Sequence, residues 1–269
     1  MSEQNTFRDL SFDLNRSAYY KLLLQIDSNS FSYAITYEKE LVALGTDYGL
    51  SELSDPQDLA EELAVNYKEI IIGIKGNGFT LVPAPLFSED QIANYALLLD
   101  VKANEKVFAK RLDEKNFIIY KVDEKRVAAV QHFGLDKIVY SGKGLITAIA
   151  QASPLNNQLY LYAENGKVEF LYFKDNSIRF YNSFEFTDEN DIAYFAAFVS
   201  EELGLSPNQV NLKLSGSVAS EEKYSILLSK FFESVSLFDP QILELPGHID
   251  SKQILNLAAL TLCGSLEVH

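Results

Sequence analysis

Two distant stretches of this chain align without a gap, and the match dictates its architecture more than any other feature. Leu22-Leu23-Leu24-Gln25-Ile26-Asp27 and Leu159-Tyr160-Leu161-Tyr162-Ala163-Glu164 each run from apolar residues into an acid, and each opens a series of three strand-like segments. The first series spans 22–26, 31–37 and 40–44, turning at Asp27-Ser28-Asn29 and at Glu38-Lys39. The second spans 159–164, 167–173 and 177–186, turning at Asn165-Gly166 and at Asp175-Asn176-Ser177. Short apolar runs bounded by Asn, Asp, Gly and Ser are the pattern of antiparallel strands joined by tight turns. The shared register sets Asp27 against Glu164 and Glu38 against Asp175. A repeat of about half the chain length indicates two duplicated lobes, because solenoid repeats have periods of roughly 20 to 50 residues.

The similarity continues past the strands. Pro56 behind Asp55, with Leu59, Leu63 and Tyr67 at helical spacing and Glu61, Glu62 and Lys68 on the polar side, predicts a helix after the first meander. Residues 69–75 are a β-branched run of the buried-strand kind, Gly76-Asn77-Gly78 turns the chain, 79–82 reads as a short return strand, and 88–99 as a helix. After the second meander, Ile192, Phe195, Val199 and Leu203 form one apolar stripe over 188–203, closed by Gly204 and Pro207. A strand at 210–214 then runs into Ser215-Gly216-Ser217 and is followed by a helix at 221–233. Meander, helix, strand, helix thus occurs twice. Between the copies, 106–123 reads as a strand pair around Asp113-Glu114-Lys115-Asn116, and 126–133 and 142–150 as helices flanking a strand at 137–140. A helix at 251–263 closes the chain. The predicted fold class is α/β. A polar lead at 1–17 precedes a first lobe at 18–150, which carries the inserted strand pair, and a second lobe at 151–269 includes the closing helix.

Charge and composition exclude several functions. The chain has 23 Lys and Arg against 38 Asp and Glu, a net charge of -15 that repels phosphate backbones and anionic membranes. Its densest basic stretches, 102–111 and 121–126, are interrupted by acids and read as solvated faces. No nucleic-acid partner is expected. The apolar stretches 193–199 and 257–263 fall short of the roughly 20 residues of a membrane helix, so no membrane insertion is expected. The polar, acidic start lacks the order of a secretory signal, so a cytoplasmic location is expected. Cys263 stands alone in an apolar pattern and reads as a buried thiol; His132, His248 and His269 have no metal-ligand spacing.

An order of three antiparallel strands, helix, strand and helix, duplicated and joined through helices, resembles the actin-like ATPase superfamily with its ribonuclease-H-like core. The likeness covers most of 20–263. The chain as a whole resembles a bacterial family catalogued as domain of unknown function 3822, for which an actin-like fold is expected. In the superfamily, ATP lies between the lobes and the two meander turns face its phosphates, each with an acid for water-bound Mg²⁺ and small residues for close phosphate contact. The resemblance therefore implies a site of Asp27, Ser28 and Ser30 in the first turn, and Glu164, Asn165, Gly166 and Lys167 in the second. Ser215 and Gly216 would stand near the adenosine, and Asp27 and Glu164 would hold Mg²⁺ through water. The sequence departs from the superfamily pattern at Asn29, where glycine is usual, and at Lys167, where a small residue is usual; Leu214-Ser215-Gly216-Ser217 has a single glycine. The same turn residues also read as ordinary hairpin chemistry.

Other motifs resolve into structure. Gly142-Lys143-Gly144 lacks the phosphate-loop spacing and reads as a helix start. Asp188-Glu189 and Glu221-Glu222 are acids at helix starts, where the macrodipole favours them. Strand tyrosines such as Tyr160, Tyr162, Tyr172 and Tyr181 lack the basic neighbours of a nucleic-acid surface and offer a protein-binding face instead. The expectation is an actin-like cytoplasmic scaffold with a degenerate nucleotide site and no bound cofactor, acting through a protein partner. Its oligomeric state is not encoded in any of these patterns. The alternative is a Mg-ATP-binding protein or slow ATPase. A sugar or metabolite kinase would need a sugar-specific acid, for which no residue stands out.

Overall fold

The apolar runs that mark the repeat become strands in both halves of the chain. In the computed structural model, which describes residues 6–264, two units are distinct. One comprises Met1–Leu145, Ile242–Pro246 and Asn256–His269, and the other Ile146–Gln241 and Gly247–Leu255. His269 lies outside the described residues.

The first unit begins with β1 (Thr6–Arg8), β2 (Lys21–Ile26), β3 (Ser30–Tyr37) and β4 (Glu40–Gly49), then two short helices, α1 (Ser51–Ser54) and α2 (Ala60–Ala64), and β5 (Glu69–Ile74). Next come β6 (Gly78–Pro83), α3 (Ile92–Ala96), β7 (Glu105–Arg111), β8 (Asn116–Asp123), α4 (Glu124–Val130), β9 (Ile138–Tyr140) and α5 (Gly142–Gln151), within which the first unit ends. The second unit carries β10 (Gln158–Glu164), β11 (Lys167–Lys174), β12 (Ser177–Glu185), α6 (Glu189–Glu202), β13 (Asn211–Gly216), α7 (Glu222–Leu228) and β14 (Ser234–Leu237). Last is α8 (Leu255–Ala259).

Sheet order repeats with the sequence. The first sheet runs β1-β4-β3-β2-β5-β9 and the second β12-β11-β10-β13-β14. In each, the meander is antiparallel and the two strands beyond it run parallel to its first strand. Residue pairing repeats as well: Ile26 pairs with Phe31 and Ile74, as Ala163 pairs with Val168 and Gly216. The predicted duplicated α/β architecture is therefore present, with β4-β3-β2-β5-β9 matching β12-β11-β10-β13-β14 and β1 an addition to the first sheet.

Local chemistry explains the best-formed helix. Asp188 caps α6 by accepting from the N–H groups of Asn190 (2.8 Å) and Asp191 (3.2 Å). Gly204 ends it with φ +69°, its N–H bonded to Glu201 O at 2.9 Å while Leu205 N–H reaches Ser200 O at 2.8 Å, a Schellman motif that satisfies the last carbonyls. Ile192, Ala196 and Val199 on its inner face join a core with Leu159, Leu161, Phe170 and Leu214.

Several elements depart from expectation for identifiable reasons. The helix expected from Pro56 to Tyr67 is broken, because Glu52 of α1 captures the N–H groups of Gln57, Asp58 and Leu59 with one carboxylate oxygen. Glu62, expected on the polar side, is buried and pairs with Arg8 of β1. The polar lead is thus partly a strand. Residues 79–82 do not return along β5, whose two flanks are taken by β2 and β9; β6 instead joins a separate sheet of order β6-β8-β7. The helix expected over 221–233 stops at Leu228 to release β14, a four-residue strand too short to register in periodicity.

The closing helix is shorter than expected, and from Asn256 onward it belongs to the first unit. Gly144 is needed there, because a Cβ on it would fall on the carbonyl of Ala259. Gly144→Val is expected to lower the unfolding free energy by about 3 kcal/mol through overpacking against main chain. Urea melts that leave the midpoint unchanged would show that this contact is not made.

Candidate functional site

In the first unit the parallel pairing of β2 with β5 sets Asp27 and Lys75 just past the carboxyl ends of neighbouring strands. Open α/β sheets bind ligands at such ends. The start of α4 reaches the same place. Arg126, 2% exposed, donates from Nη1 to Lys75 O at 2.8 Å and from Nη2 to Asn77 Oδ1, and Nη2 lies 3.4 Å from Asp123 Oδ2. Its Nε is buried without a hydrogen-bond partner. Burial pushes the Asp27 carboxyl up to about 6, with the Asp47 carboxylate adding to the rise and the cations of Lys75 and Arg126 opposing it.

The turn after Asp27 is closed by the chain itself. Asp27 N–H donates to Ser30 O at 2.9 Å, and neither Ser28 nor Asn29 has positive φ, so this turn needs no glycine. Asn29 Oδ1 accepts from Lys125 Nζ at 3.0 Å, tying the turn to α4. Ser28 is exposed and Ser30 half-buried.

Sequence reasoning missed Arg126, Lys125, Lys75 and Asp47 as neighbours of this turn. It also took 121–126 for a solvated face, which the structure corrects: Lys121 and Arg126 are buried. Lys121 Nζ lies 3.0 Å from Glu105 Oε2 and donates to Asp100 O at 2.9 Å. Burial alone would raise the Glu105 carboxyl, yet hydrogen bonds from Asn77, Lys102 N–H and Lys121, with the Lys121 charge, bring it down to about 2. The missed signal was a lysine inside the apolar run Ile118, Ile119, Tyr120, Val122, where burial of the strand forces it to find an acid.

In the second unit Glu164 ends β10 and pairs with Lys167 across a two-residue turn. Asn165 and Gly166 have φ +50° and +71°, the signs of a type I′ hairpin. Gly166 O accepts from Phe186 N–H at 3.0 Å, and Lys167 Nζ lies 3.9 Å from Glu185 Oε1 on the adjacent strand. Ser215 and Ser217 donate their hydroxyls to Leu161 O (3.1 Å) and Ala163 O (3.0 Å) of β10. Gly216 has φ +72° and ψ −151°, and a Cβ there would overlap Ala163 O. These three residues therefore seal the seam between β10 and β13. Each candidate residue stands at a strand end or turn of its own unit, Asp27 within the field of Lys75 and Arg126, and Glu164, Gly166, Lys167, Ser215 and Gly216 within hairpin and seam contacts.

Among the described residues no three His, Cys, Asp or Glu side chains converge to ligate a metal directly, and no helix is long and apolar enough to cross a membrane. A family model described as "Protein of unknown function (DUF3822)" matches residues 9–235. The chain belongs to the DUF3822 family. A crystal structure from Bacteroides thetaiotaomicron, described as a protein with actin-like ATPase fold and unknown function, is similar with a TM-score of 0.76 and 21% identity, covering 93% of this chain and 98% of that one. A chain of the PilM-PilN type IV pilus biogenesis complex is similar with a TM-score of 0.59 and 10% identity, covering 91% of this chain and 98% of its own. At these identities the likeness shows the fold, and this DUF3822 chain has the actin-like ATPase fold that its duplicated meanders led us to expect. No curated protein matches it.

Proposed function

We propose that this DUF3822 chain is a cytoplasmic scaffold of the actin-like type whose nucleotide site is degenerate and which acts through a protein partner. The observation that carries this reading is the use of the phosphate- and adenosine-motif positions by the chain's own contacts. Asn29 is bonded to Lys125, the Ser215 hydroxyl to Leu161 O, and Gly216 abuts the Ala163 carbonyl. A phosphate cradle needs main-chain N–H groups that a ligand can approach closely. These positions take part in turn and sheet closure, and Asn29 and Lys167 stand where small residues give the closest phosphate approach, so the site fits Mg-ATP poorly and no reaction step is assigned to it. The PilM-PilN complex, of like fold, is a precedent for work through a protein partner.

One observation favours a second reading, a working Mg-ATP site. Asp27 is an acid held at a strand end at the expense of stability, which is where ligand-binding carboxylates are found. Calorimetric titration with Mg-ATP separates the two readings: the scaffold reading expects no saturable heat at millimolar nucleotide, and saturable binding sinks it.

A further inference from the structure

The strand tyrosines expected to offer a protein-binding face, Tyr160, Tyr162, Tyr172 and Tyr181, are buried. Exposed rings stand on α6 instead. Tyr194 is 64% exposed and Phe198 41%, on the side of the helix opposite Ile192, Ala196 and Val199, which enter the core. The core gives no reason for two large rings there, and as an i, i+4 pair they contribute little to the helix itself. Both are held in place. They stack with centroids 6.3 Å apart and planes 11° from parallel, and Tyr194 meets Phe195 edge-on at 5.4 Å. Phe195 stacks on Phe184 of β12 at 4.6 Å, and Phe184 meets Phe170 of the core edge-on at 5.9 Å. A continuous aromatic chain thus runs from the core of this unit to its surface, and rings fixed beforehand lose little freedom when a partner settles on them.

Charge around the rings selects what can settle there. From 180 to 212 the chain has six acids and no Lys, Arg or His. Asp191 lies three residues before Tyr194, and Glu201 and Glu202 three and four after Phe198, so acids stand at both ends of the ring pair on the same side of the helix. Glu201 and Glu202 occupy the last turn, where the macrodipole disfavours acids and no basic residue offsets them. The cation beside the start of the helix, Lys223, is paired with Glu221 at 2.9 Å. Such a face repels nucleic acid and anionic membrane, and a second copy would bring the same acids to it. A cationic partner relieves the charge.

We propose that the outer face of α6 docks an arginine-bearing basic segment of a partner protein, with guanidinium groups stacked on Tyr194 and Phe198 and paired with Glu201 and Glu202. Arginine suits this face better than lysine, because its planar fork stacks on aromatic rings and binds carboxylates through two parallel hydrogen bonds. The inference rests on the reading of the chain as one that works through a protein partner, and it names the chemistry of that partner. It uses no residue of the nucleotide positions. Its test is a peptide titration, whereas that reading is tested with nucleotide, so the two fail separately.

Fluorescence anisotropy of a labelled dodecapeptide of alternating arginine and alanine, titrated with the intact chain at about 0.15 M salt, tests it. Saturable binding is expected, with the matching lysine peptide bound several-fold more weakly. Tyr194→Ala combined with Phe198→Ala removes both rings and no charge, and is expected to weaken binding of the arginine peptide about tenfold. Both side chains are exposed, so circular dichroism should remain that of a folded chain. Tyr19→Ala, at an exposed ring elsewhere, should leave binding unchanged. Glu201→Gln combined with Glu202→Gln should weaken binding and flatten its dependence on salt. Binding indifferent to loss of the two rings is diffuse attraction to an acidic protein and overturns the proposal, as does the absence of binding. Self-association in sedimentation that the ring substitutions abolish would give the face to a second copy and overturn it too.

Discussion

Gly216→Ala is expected to destabilise the chain by about 4 kcal/mol, the sum of backbone strain and overpacking at one position. Its φ of +72° with ψ of −151° lies in a region that is essentially glycine's alone. The added methyl would also meet Ala163 O, a main-chain atom at the last pair of the β10–β13 ladder that also accepts the Ser217 hydroxyl. Denaturant unfolding of the variant reads this as a large drop in midpoint with an unchanged slope. The outcome bears on function, because a glycine kept for ligand approach would tolerate a methyl in the empty protein. A loss below about 1 kcal/mol would reassign Gly216 from the seam to a ligand.

Asp27→Asn is expected to act in the opposite direction, stabilising the chain by about 3 kcal/mol at pH 7.5. The sign follows from the direction of the shift. With its folded carboxyl up to about 6 against an unfolded value near 3.8, Asp27 holds a proton more tightly in the folded state. Between those values the folded chain binds more protons than the unfolded one, so stability falls as pH rises through the window. The penalty is absent below about pH 3.8 and complete above about pH 6. Asparagine removes the charge and with it this part of the pH dependence. Urea melts of both proteins at pH 4.5 and 7.5 give the comparison, and a variant less stable than wild type at pH 7.5 would mean that Lys75 and Arg126 hold the carboxylate more strongly than burial opposes it.

The repeat was legible because tight turns and buried strands leave strong local marks. Asn165-Gly166 demands positive φ at two successive residues, Asp188 and Gly204 bracket α6 with their own hydrogen bonds, and the continuous apolar runs of β2 and β10 mark central strands buried on both faces. The rest depended on contacts distant in sequence. Nothing near Glu62 announces that Arg8 will bury it, and nothing near Phe79 announces that β5 has no free flank. The candidate site was legible to the same degree. The acids at Asp27 and Glu164 follow from register, whereas Arg126, Lys125 and Lys75 gather around Asp27 only after β2, β5 and α4 have been assembled. A basic residue in an apolar run, as at Lys121, is the one local mark of such a network, and it is easily taken for a surface charge.

Titration of the intact chain with Mg-ATP bears hardest on the proposed scaffold role, and Asp27→Ala is its natural control because removing that carboxylate is not expected to weaken the fold. A degenerate site predicts no saturable heat for either protein at millimolar nucleotide. Saturable binding by the wild type that disappears in a folded Asp27→Ala protein would contradict the account and assign the first turn to Mg-ATP.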